Sequence, residues 1–201
     1  MNPFMKSLQI LTLFIAVIYI TGCTRTVQWE EEVPLNTGET IVVKRSGTYS
    51  YRSEAGNPLN YAHRPDRRST IEFTYRGKPY MHSGDASLMA LAIAPSGIPN
   101  LVASAADTGW QWNHDYLCAM PSYVQFRPNP SGLEWSWPDQ IEPWLYRTPT
   151  NLMFGLPELK DDGKKFTSEN RAIENAPLLS AGKHFREVDP TFQHQTCKRK
   201  N

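Results

Sequence analysis

The stretch STIEFTYR, residues 69–76, carries the clearest secondary-structure signal in the chain. Ile71, Phe73 and Tyr75 fall on one side of an extended chain, and polar residues fall between them. Successive side chains of a β-strand point to opposite faces, so this alternation predicts a strand with one buried face. The next residues, GK, predict a turn into a second strand.

Similar β-rich runs recur along the chain and are separated by turn residues. The tetrapeptide NTGE, residues 36–39, predicts an opening hairpin between two such runs. Further strands are predicted over residues 27–35, 40–45, 79–82, 88–94, 101–105, 123–127 and 133–137. Strands at this spacing favour a mainly β fold, an antiparallel sandwich or open barrel of hairpins.

One short helix is predicted near the C-terminus, over residues 167–175. Thr167 or Ser168 provides an N-cap, Glu169 stands in the first turn, and Pro177 is expected to end the helix. We therefore expect residues 23–201 to form a single domain. Its helical, irregular C-terminal third, from about residue 150, should pack on one end of the β structure.

The composition excludes several classes of protein. The 201 residues are 40% hydrophobic and 20% charged, with a formal net charge of +1, which excludes a disordered chain and a globally basic nucleic-acid binder. The five histidines show neither H-x-H nor H-E-x-x-H spacing, and no glycine-rich phosphate loop is present. We expect no metal, no cofactor and no nucleic-acid partner.

Residues 1–22 have the features of an export signal. They contain one cation, Lys6, no acidic residue and an apolar run over residues 8–20. This run is shorter than the roughly 20 residues of a membrane-spanning helix, although an uncleaved anchor is the alternative. It ends at ITGC, residues 20–23, which resembles the bacterial lipobox. That resemblance implies that Cys23 is diacylated, becomes the new N-terminus and anchors the protein to a membrane.

The lipobox implies a location in the bacterial cell envelope. Thr24 stands where Asp favours inner-membrane retention in some bacteria, so we expect the outer membrane, facing the periplasm. Cys118 and Cys197 are an even pair in an oxidising compartment, which predicts a disulfide. The alternative makes Cys118 a nucleophile, with His114 as its base.

Two segments resemble an uncharacterised family of proteobacterial envelope proteins. WEEEVPLNTGETIVVKRS (29–46) and STIEFTYRGKPY (69–80) are similar to the W-x-E-E-V-x-L-N-x-G and S-T-I-E-F patterns of that family. The likeness continues through PSYVQF (121–126) and NLM (151–153) to a late cysteine. This resemblance implies an envelope location, and it implies no activity and no catalytic residue.

Charges are segregated along the chain. Residues 44–78 hold eight cations against three acids, whereas residues 85–142 hold six acids against one cation. Arg64, Arg67 and Arg68 are candidate contacts for phosphate or anionic lipid, because a guanidinium group pairs well with phosphate. The alternative is a solvated loop whose cations pair with the acidic half of the same domain.

Nine aromatic residues are concentrated between residues 110 and 146. Exposed rings beside carboxylates would bind a glycan, whereas buried rings would fill a β core. Glu134 and Asp139 are the candidate pair for a glycosidase-like reaction. The candidate glycan-binding residues, which fall in pairs two positions apart, are Trp110, Trp112, Trp135 and Trp137.

Together these features favour a membrane-anchored bacterial lipoprotein with a non-catalytic, binding or structural role in the envelope. Its expected partners are the membrane and either an envelope protein or a cell-wall glycan. The alternative is a glycan-binding module or a glycan-active enzyme at the cell wall. The non-catalytic role and the glycan-related alternative differ in one structural feature. It is whether the aromatic rings are buried or line a groove with two carboxylates.

Overall fold

Two β-sheets pack face to face around the main hydrophobic core. The computed structural model describes residues 24–104, 121–138 and 140–193, apart from the side chain of Arg67. Within those residues the strands are β1 (Thr24–Pro34), β2 (Thr40–Glu54), β3 (Asn57–Tyr75), β4 (Lys78–Gly84), β5 (Leu88–Ile93), β6 (Pro99–Ser104), β7 (Tyr123–Pro128), β8 (Trp135–Ser136) and β9 (Lys165–Phe166). The prediction of a mainly β fold is confirmed.

The first sheet has the strand order β4-β3-β2-β1-β9, and the second has the order β5-β6-β7-β8. Neighbouring strands are antiparallel, except that β9 pairs parallel to β1 at the edge of the first sheet. Residues 35–39 join β1 to β2, and they include the predicted turn NTGE, residues 36–39. The predicted antiparallel sandwich of hairpins is therefore confirmed.

The apolar face predicted for residues 69–76 lies in the core. Ile71 and Phe73 of β3 are buried and pack with Leu91 of β5 and Phe126 of β7. Burial of each such side chain contributes roughly 1.5–3 kcal/mol relative to exposure. The core therefore joins the two sheets to each other.

The second sheet is covered on its outer face as well. Every residue of β5 and β6 is buried. Ile141, Leu145 and Val188, from the segment after β8, pack against Met89 and Val102 on this outer face. Phe154 and Phe192 of the C-terminal third also pack on this cluster, so the C-terminal third covers a face of the sandwich, whereas the sequence predicts packing on one end.

The main helix, α1, spans Ser168–Ala181 and is followed by the short α2, Lys183–Arg186. Thr167 caps α1, as predicted, because its hydroxyl accepts from the Asn170 N–H at 3.2 Å. The predicted end at Pro177 is wrong, since the helix continues through it. Pro177 cannot donate to the carbonyl of Ile173, four residues earlier, and Ile173 is 65% exposed, so this carbonyl lies on a solvent-accessible side of the helix.

The β2–β3 hairpin is much longer than predicted and projects beyond the sandwich. Gly47 pairs with Ser69, but Tyr49 pairs with Pro65, so β3 has extra residues at this point. Such a β-bulge bends the strand that contains it. We call residues 49–65, past the bulge, the distal arm; Tyr49 and Ser50 at its base still pair with β1, and beyond Ser50 the arm is a two-stranded extension.

Candidate membrane-proximal site

The distal arm lies beside the N-terminal end of β1. Thr24 pairs with Ser50, which in turn pairs with Arg64 across the arm. Cys23, the predicted lipidation site, lies outside the described residues but is joined to Thr24 by one peptide bond, about 3.8 Å between Cα atoms. The distal arm and the predicted anchor therefore occur at the same end of the first sheet.

The tip of the distal arm reaches past the start of β1. Beyond Ser50, the strand β2 continues to Glu54 before the chain turns back at Gly56. At about 3.3 Å per residue, the tip lies roughly 13 Å beyond Thr24. This part of the hairpin has no neighbouring strand from β1.

One side of the distal arm is aromatic. Tyr51 pairs directly with His63, and their ring centroids are 5.2 Å apart. The Tyr61 ring lies 5.8 Å from that of Tyr51. Tyr51 is 50% exposed, Tyr61 is 56% exposed, and Leu59 near the tip is 91% exposed. The rings therefore contact one another but are not covered by the sandwich.

The arginines of the distal arm form ion pairs with acids of the β2–β3 hairpin. Arg64 lies 3.4 Å from a Glu54 carboxylate oxygen, and Arg52 lies 3.4 Å from Asp66. Ser50 Oγ also donates to Asp66 at 2.7 Å. These cations are therefore paired with acids of the same hairpin, and the acidic segment after residue 85 is not needed to balance them.

The three arginines proposed as anion contacts fall at different places on β3. Arg64 is on the distal arm and keeps 30% of its side chain exposed despite its ion pair. Arg68 is exposed beside the β-bulge. Arg67 lies between them in β3, and its side chain lies outside the described atoms.

The described tryptophans of the aromatic cluster pack on the sandwich. Trp135 is half-buried against Tyr80 and His82, and its Nε1–H donates to the Met81 carbonyl at 2.6 Å. Trp137 is 41% exposed and meets Phe126 edge-on at 6.1 Å. The other two candidate glycan-binding residues, Trp110 and Trp112, lie outside the described residues.

The remaining rings of this cluster that the structure describes are buried or half-buried. Tyr123 and Phe126 are fully in the core, while Trp144 and Tyr146 pack under the C-terminal segment. This burial is typical of core residues and disfavours an open row of stacking rings.

The predicted carboxylate pair is only half described. Glu134 is exposed and accepts a hydrogen bond from Asn129 Nδ2 at 2.8 Å, and Asp139 lies outside the described residues. The two cysteines of the predicted disulfide, Cys118 and Cys197, also lie outside them, as does His114.

A second pair of carboxylates, which the sequence did not suggest, lies on the outer face of the first sheet. Glu30, Lys44 and Glu72 stand in register on three adjacent strands. They line a polar depression of about 420 Å³. Strand spacing separates the two acidic positions by about 10 Å, with the lysine between them.

A buried ionic network ties the first sheet to the C-terminal segment. Glu31 is fully buried, and its Oε1 accepts from Arg45 Nη1 at 2.9 Å and from Trp29 Nε1 at 2.6 Å. Its second oxygen accepts from the Met153 N–H at 2.8 Å, while Arg45 donates to the Met153 carbonyl at 2.7 Å. These residues come from the segments 29–46 and 151–153, so those sequence patterns have a structural role here.

His82 is a buried neutral group. Its ring lies 4.6 Å from that of Phe126, and its Nε2 has no hydrogen-bond partner among the described atoms. Burial lowers the pKa of His82 to about 4. In the part of the chain that the structure describes, no group of three His, Cys, Asp or Glu residues is arranged to hold a metal ion.

Comparison with family models, with curated proteins and with solved structures finds no match to this chain. Among the described helices, none has both the length and the apolar character needed to cross a bilayer. A proposal of function therefore rests on the residues of the chain itself.

The distal arm is the feature that the sequence analysis missed. The sequence does contain a pattern that could have indicated it. Tyr49 and Tyr51 are two residues apart on one strand, and Tyr61 and His63 are two residues apart on the other. Prolines in the second strand interrupt the pattern, and polar residues surround it. Alternation is a weak signal where neither face of a hairpin is fully buried.

Proposed function

We propose that the protein is a membrane-anchored bacterial lipoprotein with a non-catalytic, binding or structural role in the cell envelope. The observation that carries this proposal is the position of ITGC, residues 20–23, directly before β1. Thr24 is already paired in the sheet. A lipid on Cys23 would thus be attached to the folded domain with no linker between them.

A domain attached in this way stays at the bilayer surface. Flexible linkers extend the reach of an anchored domain in proportion to the square root of their length, and here β1 begins at the residue after the anchor. The role we propose is therefore one carried out at the membrane surface. The resemblance to proteobacterial envelope proteins supports the same location, and Thr24 supports the outer membrane, facing the periplasm.

The non-catalytic part of the proposal is supported by the contacts of the buried polar groups. Glu31 and Arg45 neutralise each other, Gln125 bonds to Asn100 at 2.9 Å, and Asn151 bonds to backbone groups. Groups that are held by the fold in this way stabilise the structure and are not poised for proton transfer to a substrate.

Mass spectrometry of the full-length protein, extracted from membranes of a bacterial host, tests the anchor. We expect a mature chain that begins at Cys23 and carries acyl chains. The Cys23→Ala variant is the control and should be neither processed at this site nor lipidated. A mature mass that retains residues 1–22, or an unmodified Cys23, contradicts the proposal.

Incubation of the purified lipidated protein with peptidoglycan and with soluble glycans tests the non-catalytic role. We expect no turnover. Turnover that is lost in Glu30→Gln, Glu72→Gln, Glu134→Gln or Asp139→Asn would replace our proposal with a glycan-active enzyme.

A further inference from the structure

We propose that the tip of the distal arm inserts into the lipid–water interface of an anionic bilayer. This inference rests on the proposed lipidation of Cys23, because that anchor would hold the arm at the membrane. It adds a second, non-covalent contact between the protein and the bilayer, made by the exposed side chains Tyr51, Leu59 and Tyr61.

Strand direction supports the proposal. Because β1 and β2 are antiparallel, Thr24, the first residue of β1, lies at the end of the first sheet toward which β2 runs on its way to Glu54. The tip and the residue that follows the proposed anchor therefore lie at the same end of the sandwich. The headgroup layer of one leaflet is about 5–8 Å thick. A tip that reaches roughly 13 Å beyond Thr24 is long enough to cross this layer.

The exposed side chains of the distal arm beyond Ser50 suit the interface. Leu59 is 91% exposed and follows Pro58 near the turn, so an apolar group is presented with almost no cover from the protein. Tyr51 and Tyr61 are half-exposed and lie side by side. Tyrosine is enriched at membrane interfaces because its ring is apolar and its hydroxyl remains hydrated.

The charge of the hairpin favours an anionic bilayer as the occupant. Residues 47–68 contain four arginines against two acids. Arg68 is exposed at the β-bulge, nearer the sandwich than the apolar tip, and Arg64 remains partly exposed. Glu54 at the tip is partnered by Arg64, so the arm presents Leu59 ahead of its cations, which matches the order of acyl chains and phosphate groups in a leaflet.

Quenching of tryptophan fluorescence by brominated lipid tests the depth of the tip. The full-length protein carrying Leu59→Trp is reconstituted in vesicles of phosphatidylethanolamine and phosphatidylglycerol, with bromines high in the acyl chains. The matched control is Leu133→Trp. Leu133 is 54% exposed and lies beside Ile41 and Val42, at the opposite end of β2 from the tip.

We expect the emission added by Leu59→Trp to be lost in brominated vesicles, and the emission added by Leu133→Trp to be retained. In the Leu59→Trp background, replacing Tyr51 and Tyr61 by Ser should restore part of the lost emission. Both tyrosines are half-exposed, so this change leaves the sandwich core intact.

Equal quenching in Leu59→Trp and Leu133→Trp overturns the inference. If mass spectrometry shows acylated Cys23 in that sample, the proposed function stands and only the contact of the arm fails. If Cys23 carries no lipid, the proposed function fails, and the quenching of Leu59→Trp still decides whether the arm enters the bilayer. Crosslinking of the tip to a second copy, without quenching, also overturns the inference.

Discussion

The side-chain amide of Asn151 pairs with the backbone of Leu91 as a neighbouring strand would. Asn151 Oδ1 accepts from the Leu91 N–H at 2.8 Å, and its Nδ2 donates to the Leu91 carbonyl at 2.8 Å. Asn36 makes the same pair of bonds to Ile93, at 2.8 and 2.9 Å. Two asparagines thus cover the free edge of β5. Without them, unpaired backbone groups at this edge could pair with a strand of another molecule.

Removal of the Asn151 amide is expected to destabilise the fold strongly. Asn151→Ala leaves the Leu91 N–H and carbonyl buried without these partners, which costs about 2–4 kcal/mol of unfolding free energy. Urea unfolding of the purified protein measures this loss. Asn60→Ala is the control, because Asn60 is exposed and bonds only to Glu54 among the described side chains. Equal losses in the two variants would contradict the edge-closing role.

The buried pair of Glu31 and Arg45 is expected to show strong coupling. Either Glu31→Gln or Arg45→Met leaves one buried group unpaired, at a cost of about 3–5 kcal/mol, and the double variant should lose less than the sum. Breaking the exposed pair of Glu158 and Lys160 should leave the unfolding free energy nearly unchanged. Additive effects of Glu31→Gln and Arg45→Met in a double-mutant cycle would show that the pair is not coupled.

Stability is expected to fall with acidification because of His82. The pKa of His82 is about 4 in the folded protein, below the ordinary 6.5, so the unfolded chain binds a proton first as the pH drops. Unfolding free energy is therefore lost between about pH 6.5 and pH 4, by roughly 3 kcal/mol at most. His82→Met removes this component, and urea unfolding at several pH values measures it. The same slope in the parent and the variant would refute the assignment.

The predicted disulfide between Cys118 and Cys197 is testable by alkylation. We expect both thiols to be protected in non-reduced protein and to react after reduction. A bond between these cysteines closes a loop of about 80 residues, which stabilises the folded chain by roughly 4 to 5 kcal/mol as an upper value. The double Cys→Ser variant should therefore unfold at lower urea concentration. Two freely alkylated thiols in the non-reduced protein would exclude the bond.

The sequence predicted the strands best where one face is buried. Alternation located the second part of β3, and the turn signal at residues 36–39 between two β-rich runs located β1 and the first part of β2; all three segments pack against the second sheet. Alternation failed on the distal arm. There both faces of the hairpin are largely accessible to solvent, and polar and apolar residues do not alternate regularly along the strands. It also overestimated β8, which is limited to Trp135–Ser136.

The candidate site was predictable only in part. The lipobox and the basic segment were visible as local patterns, and both stay predictions. The ion pairs of Arg64 with Glu54 and of Arg52 with Asp66 depend on the register of a hairpin that polarity alone did not show. The contact of Asn151 with Leu91 joins positions 60 residues apart, so no local sequence pattern predicts it.

The closed edge of β5 also has a consequence for the order in which the chain folds. The strand β5 is complete at Ile93, but the residue that covers Leu91 follows 60 positions later. While residue 151 is not yet in place, this edge offers free donors and acceptors to any extended chain nearby. Fragments of the protein that end before Asn151 should consequently self-associate, whereas the finished chain is protected.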